Sequence, residues 1–283
     1  MKKALFALLI SSALLLSACD NRPVEGLQSV PTLKTNIQTI FEKSETVTFD
    51  QNDDETTGPQ ADTNTSGAEL NYYFNTVKTN VFWMDNLLLR EILFTLNQNS
   101  EPQDRINLNT VKKGEEEDTL LNKIKSNYEK DLNKLKEGGK EGIFYNIETM
   151  YVGQRENIVT FSQVRNVYLG GAHGTYSTRY LNFDTNKKDL VQLDDIAPRD
   201  KQKKLMDLLW SNSINTIINE SFISKEDFYL SSEFYFSPDG INFVYPPAVI
   251  ASFSEGEITL KLYWSDIEQF INREFFWSTH EQK

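Results

Sequence analysis

Few residues in this sequence could do chemistry, and their scarcity is informative. There is one cysteine, Cys19, and there are two histidines, His173 and His280. One thiol excludes an intramolecular disulfide and any zinc site built from several cysteines. Two distant histidines leave little room for a His-rich metal site, and no carboxylate spacing proposes partners for His173. The 41 Asp and Glu could always supply a pair of acids for glycoside hydrolysis, so their presence selects nothing. No G-x-S-x-G, H-E-x-x-H or P-loop occurs, no nucleophile–base pair can be placed, and no metal or cofactor is expected. The most unusual run is Val167-Tyr168-Leu169-Gly170-Gly171-Ala172-His173-Gly174, continuing to Tyr176. Its glycines can take positive φ or let two backbones approach closely. Loops held on a rigid sheet often carry recognition. Gly170, Gly171, His173, Gly174 and Tyr176 are therefore the candidate binding residues.

Cys19 has a different context. Lys2 and Lys3 precede an apolar run from Ala4 to Ala18, broken by Ser11, Ser12 and Ser17. The run is shorter than the roughly 20 residues of a membrane span, and its layout is that of a secretory signal peptide. Its end, Leu16-Ser17-Ala18-Cys19, resembles the lipobox of bacterial lipoproteins. That resemblance implies a diacylglyceryl group on the Cys19 sulfur and cleavage before it. Several acyl chains, at about 0.8 kcal/mol per buried methylene, make a stable anchor. Residues 1–18 are read as the signal peptide, and 19–36 as the lipidated cysteine with a polar tether. The expected place is the cell envelope, on a membrane and facing the periplasm. Asp20 resembles the inner-membrane retention signal of enteric bacteria and favours that membrane.

The elements that must position the glycine run follow from patterning. With 39% hydrophobic and 12% aromatic residues the chain can build a core. Residues Ile37 to Phe49 are β-like, and Asp50 to Gly67 have loop composition. The apolar block from Val81 to Leu96 reads as a buried helix, interrupted by Asp85, Arg90 and Glu91. Glu115 to Leu135 reads as an amphipathic helix, acids leading and lysines trailing, stopped by Gly138-Gly139. From Ile143 to Phe183 the chain is β-rich. Lys201 to Ile218 reads as a further helix. Ile258, Leu260 and Leu262 share one face of a strand, after which Ser265 could cap a short helix. Asp184 to Lys187 and Pro238-Asp239-Gly240 are turns, and Asp194 or Asp195 could cap a following helix. The fold class predicted is α+β, an antiparallel sheet with packed helices in two subdomains, 37–139 and 140–275.

The glycine run, with Asn182-Phe183-Asp184 and Leu193-Asp194-Asp195-Ile196, resembles a bacterial envelope domain of the RsiV type. That domain forms the extracellular part of the lysozyme-sensing anti-sigma factor RsiV, and a related one precedes the catalytic domain of some peptidoglycan deacetylases. Phe234 to Gly240, Phe243, Tyr245-Pro246 and Gly256 fit the second half of the pattern. The resemblance covers about residues 140–272, and 37–139 would be the variable N-terminal subdomain. It implies an α+β fold. A lipoprotein signal stands where the anti-sigma relative has its cytoplasmic segment and transmembrane helix, so direct anti-sigma action is not expected.

The net charge of −12 argues against a nonspecific nucleic-acid binder. Without residues 1–18, which hold two lysines and no acid, it becomes −14. Such a charge would steer a basic partner. The expected function is therefore a lipid-anchored, non-enzymatic binding protein whose partner is a lysozyme-like muramidase or peptidoglycan. The alternatives are an envelope glycan-acting enzyme with an unidentified acid pair and a structural envelope lipoprotein.

Overall fold

The computed structural model describes residues 32–48, 67–98, 100–138, 141–214 and 222–277. Cys19, Asp20, His280 and most of the expected loop 50–67 lie outside them. Residues Thr32–Lys283 form one compact unit.

Two sheets organise that unit. The larger has six strands in sequence order: β1 (Asn36–Thr48), β2 (Gly67–Lys78), β3 (Ile143–Arg155), β4 (Ile158–Tyr168), β5 (Thr175–Asp184) and β6 (Asp189–Leu190). All neighbours are antiparallel except β2 and β3, which run parallel. The sheet is therefore mixed rather than purely antiparallel. The cause lies in the connection: two helices, α1 (Phe82–Gln98) and α2 (Glu116–Lys136), separate these strands, and such a crossover returns the chain in the same direction. The strands on either side of residue 140 are direct sheet neighbours, so the expected subdomain boundary falls inside one sheet.

Both helices cover one face. Leu70, Tyr72 and Phe74 of β2 stand beside Ile143, Tyr145 and Ile147 of β3 and are buried. Leu89, Ile92, Leu93 and Leu96 of α1 and Leu120, Ile124 and Tyr128 of α2 pack against them. The four-residue recurrence of Leu120, Ile124 and Tyr128 puts them on one stripe. Each fully buried side chain of this size contributes about 1.5–3 kcal/mol. Toward β5, Met84 and Leu88 meet Val159, Phe161, Leu181 and Phe183.

The second sheet is antiparallel: β7 (Phe234–Ser237), β8 (Gly240–Tyr245) and β9 (Ile258–Tyr263). Its core holds Phe234, Ile241, Phe243, Leu260 and Leu262, with Leu205 and Leu209 of α4 (Arg199–Ser213). Two one-turn helices, α3 (Leu193–Ile196) and α5 (Trp264–Ile267), flank it.

Three local expectations change. The helix from 201 starts earlier and ends at Ser213, where Ile214 is extended; residues 215–218 lie outside the described ones. Ser265 sits inside α5, whose N-cap is Tyr263. Asp195 does cap, but on α3 itself: its carboxylate accepts the Gln192 N–H at 2.8 Å. Among the described residues, no helix is long and apolar enough to cross a membrane.

Candidate functional site

The glycine run is the connection between β4 and β5, which end their pairing at Val167 and Thr175. Gly170 and Gly171 have φ of 89° and 107°, the left-handed region that a side chain would strain. Gly174 is needed for space, because a Cβ there would come within 3.0 Å of the Val167 carbonyl oxygen. The loop is pinned from below. The Glu141 carboxylate accepts the Gly171 N–H, and the Tyr168 hydroxyl donates to the Gly171 carbonyl at 2.9 Å. Desolvation, and then the Glu141 charge, push the Tyr168 phenol above its usual range.

Two contacts tie this loop to the chain before β9. The His173 ring lies over Phe253, with centroids 4.7 Å apart and planes at 31°. The Tyr176 hydroxyl fills the space where a Gly256 Cβ would sit, 2.6 Å away. His173 is exposed, and its Nδ1 lies 3.2 Å from the Gly174 carbonyl oxygen. Leu169, Tyr176 and Phe253 are also exposed, at 45%, 37% and 40%. Of the five residues singled out from the sequence, Tyr176 stands in β5 and the other four share the loop before it, so all belong to one site. Phe253, Gly256 and Glu141 complete it. No local pattern points to Glu141 or Phe253, because each reaches the loop only through the fold.

The outer edge of β5 continues the site. Beyond the loop, β5 has no strand partner on this side among the described residues until β6, and its edge N–H groups need acceptors. Glu257 supplies the first, accepting the Thr178 N–H at 2.6 Å and the Thr178 hydroxyl at 2.7 Å. Glu233 supplies the second, accepting the Tyr180 N–H at 3.0 Å. The Asn182 side chain then donates to the Phe234 carbonyl at 2.7 Å, and the Tyr180 and Tyr235 rings stack at 4.5 Å. Two carboxylates therefore join the sheets where a strand could have paired.

Arg179 balances this charge. It lies 2.8 Å from Glu91 and 3.5 Å from Glu233, with its guanidinium 4.9 Å from the centre of the Phe94 ring. Burial holds the Glu233 carboxyl above its usual range, and Arg179 opposes that shift. Among the described residues no group of three or more His, Cys, Asp and Glu could hold a metal ion. The arrangement offers a fixed, aromatic-rich surface with its carboxylates engaged by backbone and arginine, which suits binding.

A family model described as a protein of unknown function (DUF3298) matches residues 183–265. That stretch contains Phe253, Gly256 and Glu257 but stops short of the glycine loop. The solved structures similar to this chain include two DUF3298 proteins. One is a DUF3298 family member from Bacteroides fragilis, 19% identical, with a TM-score of 0.55, covering 85% of this chain and 95% of that one. The other is a DUF3298 family protein from Pseudomonas aeruginosa PAO1, 14% identical, with a TM-score of 0.52, covering 87% and 97%. No curated protein matches the chain. The chain is thus similar to DUF3298 proteins, in sequence over residues 183–265 and in fold over most of its length.

Proposed function

We propose that this protein is a lipid-anchored binding protein of the cell envelope whose ligand is a basic, lysozyme-like muramidase. The observation that carries the reading is the exposed surface of Leu169, His173, Tyr176 and Phe253, in which His173 stacks on Phe253 and Tyr176 lies against Gly256. Aromatic side chains that are already ordered lose little freedom on binding and are the usual anchors of protein interfaces. The net charge of −12 supports a basic partner. The envelope placement rests on Cys19 and the apolar run before it. The likeness of the glycine run to the RsiV-type domain supports the choice of muramidase.

The test is calorimetric titration of the chain from Asp20 onward with lysozymes of several types at two salt concentrations. One type is expected to bind saturably and to keep binding at the higher salt. Tyr176→Ala and Phe253→Ala should each weaken it by about tenfold or more, as interface anchors do. His173→Ala should weaken binding while leaving stability within about 0.5 kcal/mol, as for an exposed side chain. Binding that vanishes with salt would reduce the reading to charge attraction and turn the search to peptidoglycan fragments.

The competing reading is an envelope glycan-acting enzyme, for which the raised carboxyl of Glu233 is the natural acid. Its oxygens are engaged by the Tyr180 N–H and Arg179, which favours the binding reading. Peptidoglycan turnover by the purified protein, lost in Glu233→Gln, would reverse that choice.

A further inference from the structure

We infer that the cleft between the β3–β4 hairpin and β7 is a binding site for a small amphipathic anion, a molecule with one carboxylate or phosphate head and an apolar body. The cleft has a volume of about 510 Å³ and is walled by Val152, Gly153, Ile158, Phe236, Pro238 and Trp277, with Arg155 among them. That size and apolar character suit a small organic molecule.

Arg155 decides the sign of the ligand. It ends β3, and its guanidinium lies 4.0 Å from the centre of the Trp277 ring. Among the described residues no carboxylate pairs with it, and Glu156 acts on it only through space. Burial disfavours its charge. A partly desolvated cation with no carboxylate partner among the described residues would be favoured by an anionic head.

The other polar groups of the cleft are occupied. The Thr160 hydroxyl donates to Asn182 at 2.8 Å, and the Ser237 hydroxyl donates to Asp239 at 2.7 Å. Gln154 accepts the Leu33 N–H at 2.8 Å and donates to the Glu156 carbonyl at 3.1 Å. A sugar, which needs several free donors and acceptors and a bare ring face, is therefore a poor fit. One face of Trp277 is taken by Arg155, and Phe236 packs against that indole at 4.9 Å. What remains is one cation beside apolar walls. The cleft lies at the opposite end of β4 from the glycine loop, and neither reading depends on the other.

Gly153 provides a test that spares the fold. A Cβ there would meet nothing within 4 Å, so Gly153→Leu places its side chain in the cleft without a backbone clash. The chain from Asp20 onward, which keeps the whole compact unit, is titrated with 1-anilinonaphthalene-8-sulfonate. Decanoate, decyl phosphate, decanol and decyltrimethylammonium then compete for the dye. Saturable binding at one site is expected, displaced by decanoate or decyl phosphate at concentrations at least about tenfold below those of decanol or the cation. The relative potency of the two anions identifies the preferred head group. Arg155→Gln should weaken the anions by about tenfold or more. Gly153→Leu should abolish binding with an unchanged thermal midpoint. The inference fails if neither anion displaces the dye, if decanol competes as well as decanoate, or if Gly153→Leu still binds. Should Arg155→Gln unfold the protein, Gly153→Leu and the ligand series decide.

Discussion

At Gly240 a Cβ would come within 2.0 Å of the Leu262 carbonyl oxygen, closer than any side chain could be accommodated. Sequence reasoning marks this residue as part of a turn. The turn itself is Pro238-Asp239, and Gly240 is already paired with Tyr263 in the sheet. Its role is to let β8 approach β9. Gly240→Ala must therefore push β8 and β9 apart, and it is expected to cost at least about 3 kcal/mol, at the severe end for one substitution. Urea denaturation measures this, and a loss under 1 kcal/mol would show that the backbones part easily. The glycines of the candidate site act differently. Gly170 and Gly171 matter for their positive φ and Gly174 for space, so one residue type serves two physical ends in one loop.

At the scale of elements, the informative feature is the open edge of β5. Its N–H groups find Glu257 and Glu233, not a seventh strand. This arrangement makes a pH prediction whose sign follows from burial. The Glu233 carboxyl is held above its usual range in the folded chain, so the folded state binds its proton more tightly than the unfolded state. Its contribution is least favourable at neutral pH and improves as pH falls through the raised value toward about 4. Glu233→Gln keeps an acceptor for the Tyr180 N–H and leaves Arg179 its bond to Glu91. Wild type should therefore gain stability relative to this variant between pH 8 and pH 4, measured by urea midpoints. The opposite trend would mean that the pairing with Arg179 outweighs desolvation.

For the whole molecule, the cooperative unit joins two sheets through few but specific bonds: Thr178 with Glu257, Tyr180 with Glu233 and Asn182 with Phe234. Loss of the Asn182 bond strands a buried carbonyl, so Asn182→Leu should destabilise both sheets together, by about 1–3 kcal/mol. Trp210, Trp264 and Trp277 lie in the core of the small sheet and Trp83 packs against that of the large one, so with Trp83 replaced by Phe in both proteins tryptophan fluorescence follows the small sheet, and far-ultraviolet dichroism follows the whole chain. Their transitions should shift together. Separate shifts would show that the sheets unfold independently. The anchor belongs to this scale too. Cys19→Ala is expected to abolish acyl labelling and signal processing, and unchanged labelling would remove the lipobox reading.

How far the sequence reached depends on the range of the physics involved. Helix stripes, strand alternation and turns are set by residues a few positions apart, so α1, α2, the β-rich stretch and the 258–263 strand were legible. The five candidate residues also fell together, four on the loop and Tyr176 at the start of β5, because glycines and aromatics cluster there in sequence. The parallel pairing of β2 and β3 was not legible, since it depends on where two helices carry the chain. Nor was the loop's support from Glu141, or the stacking of His173 on Phe253, 80 residues further along. Arg155 and Trp277 meet over a still longer separation. Local patterning determined which elements form and which loop is unusual. Only the tertiary structure decided which distant side chains hold that loop, because a single hydrogen bond or ring contact leaves no periodic trace in the chain.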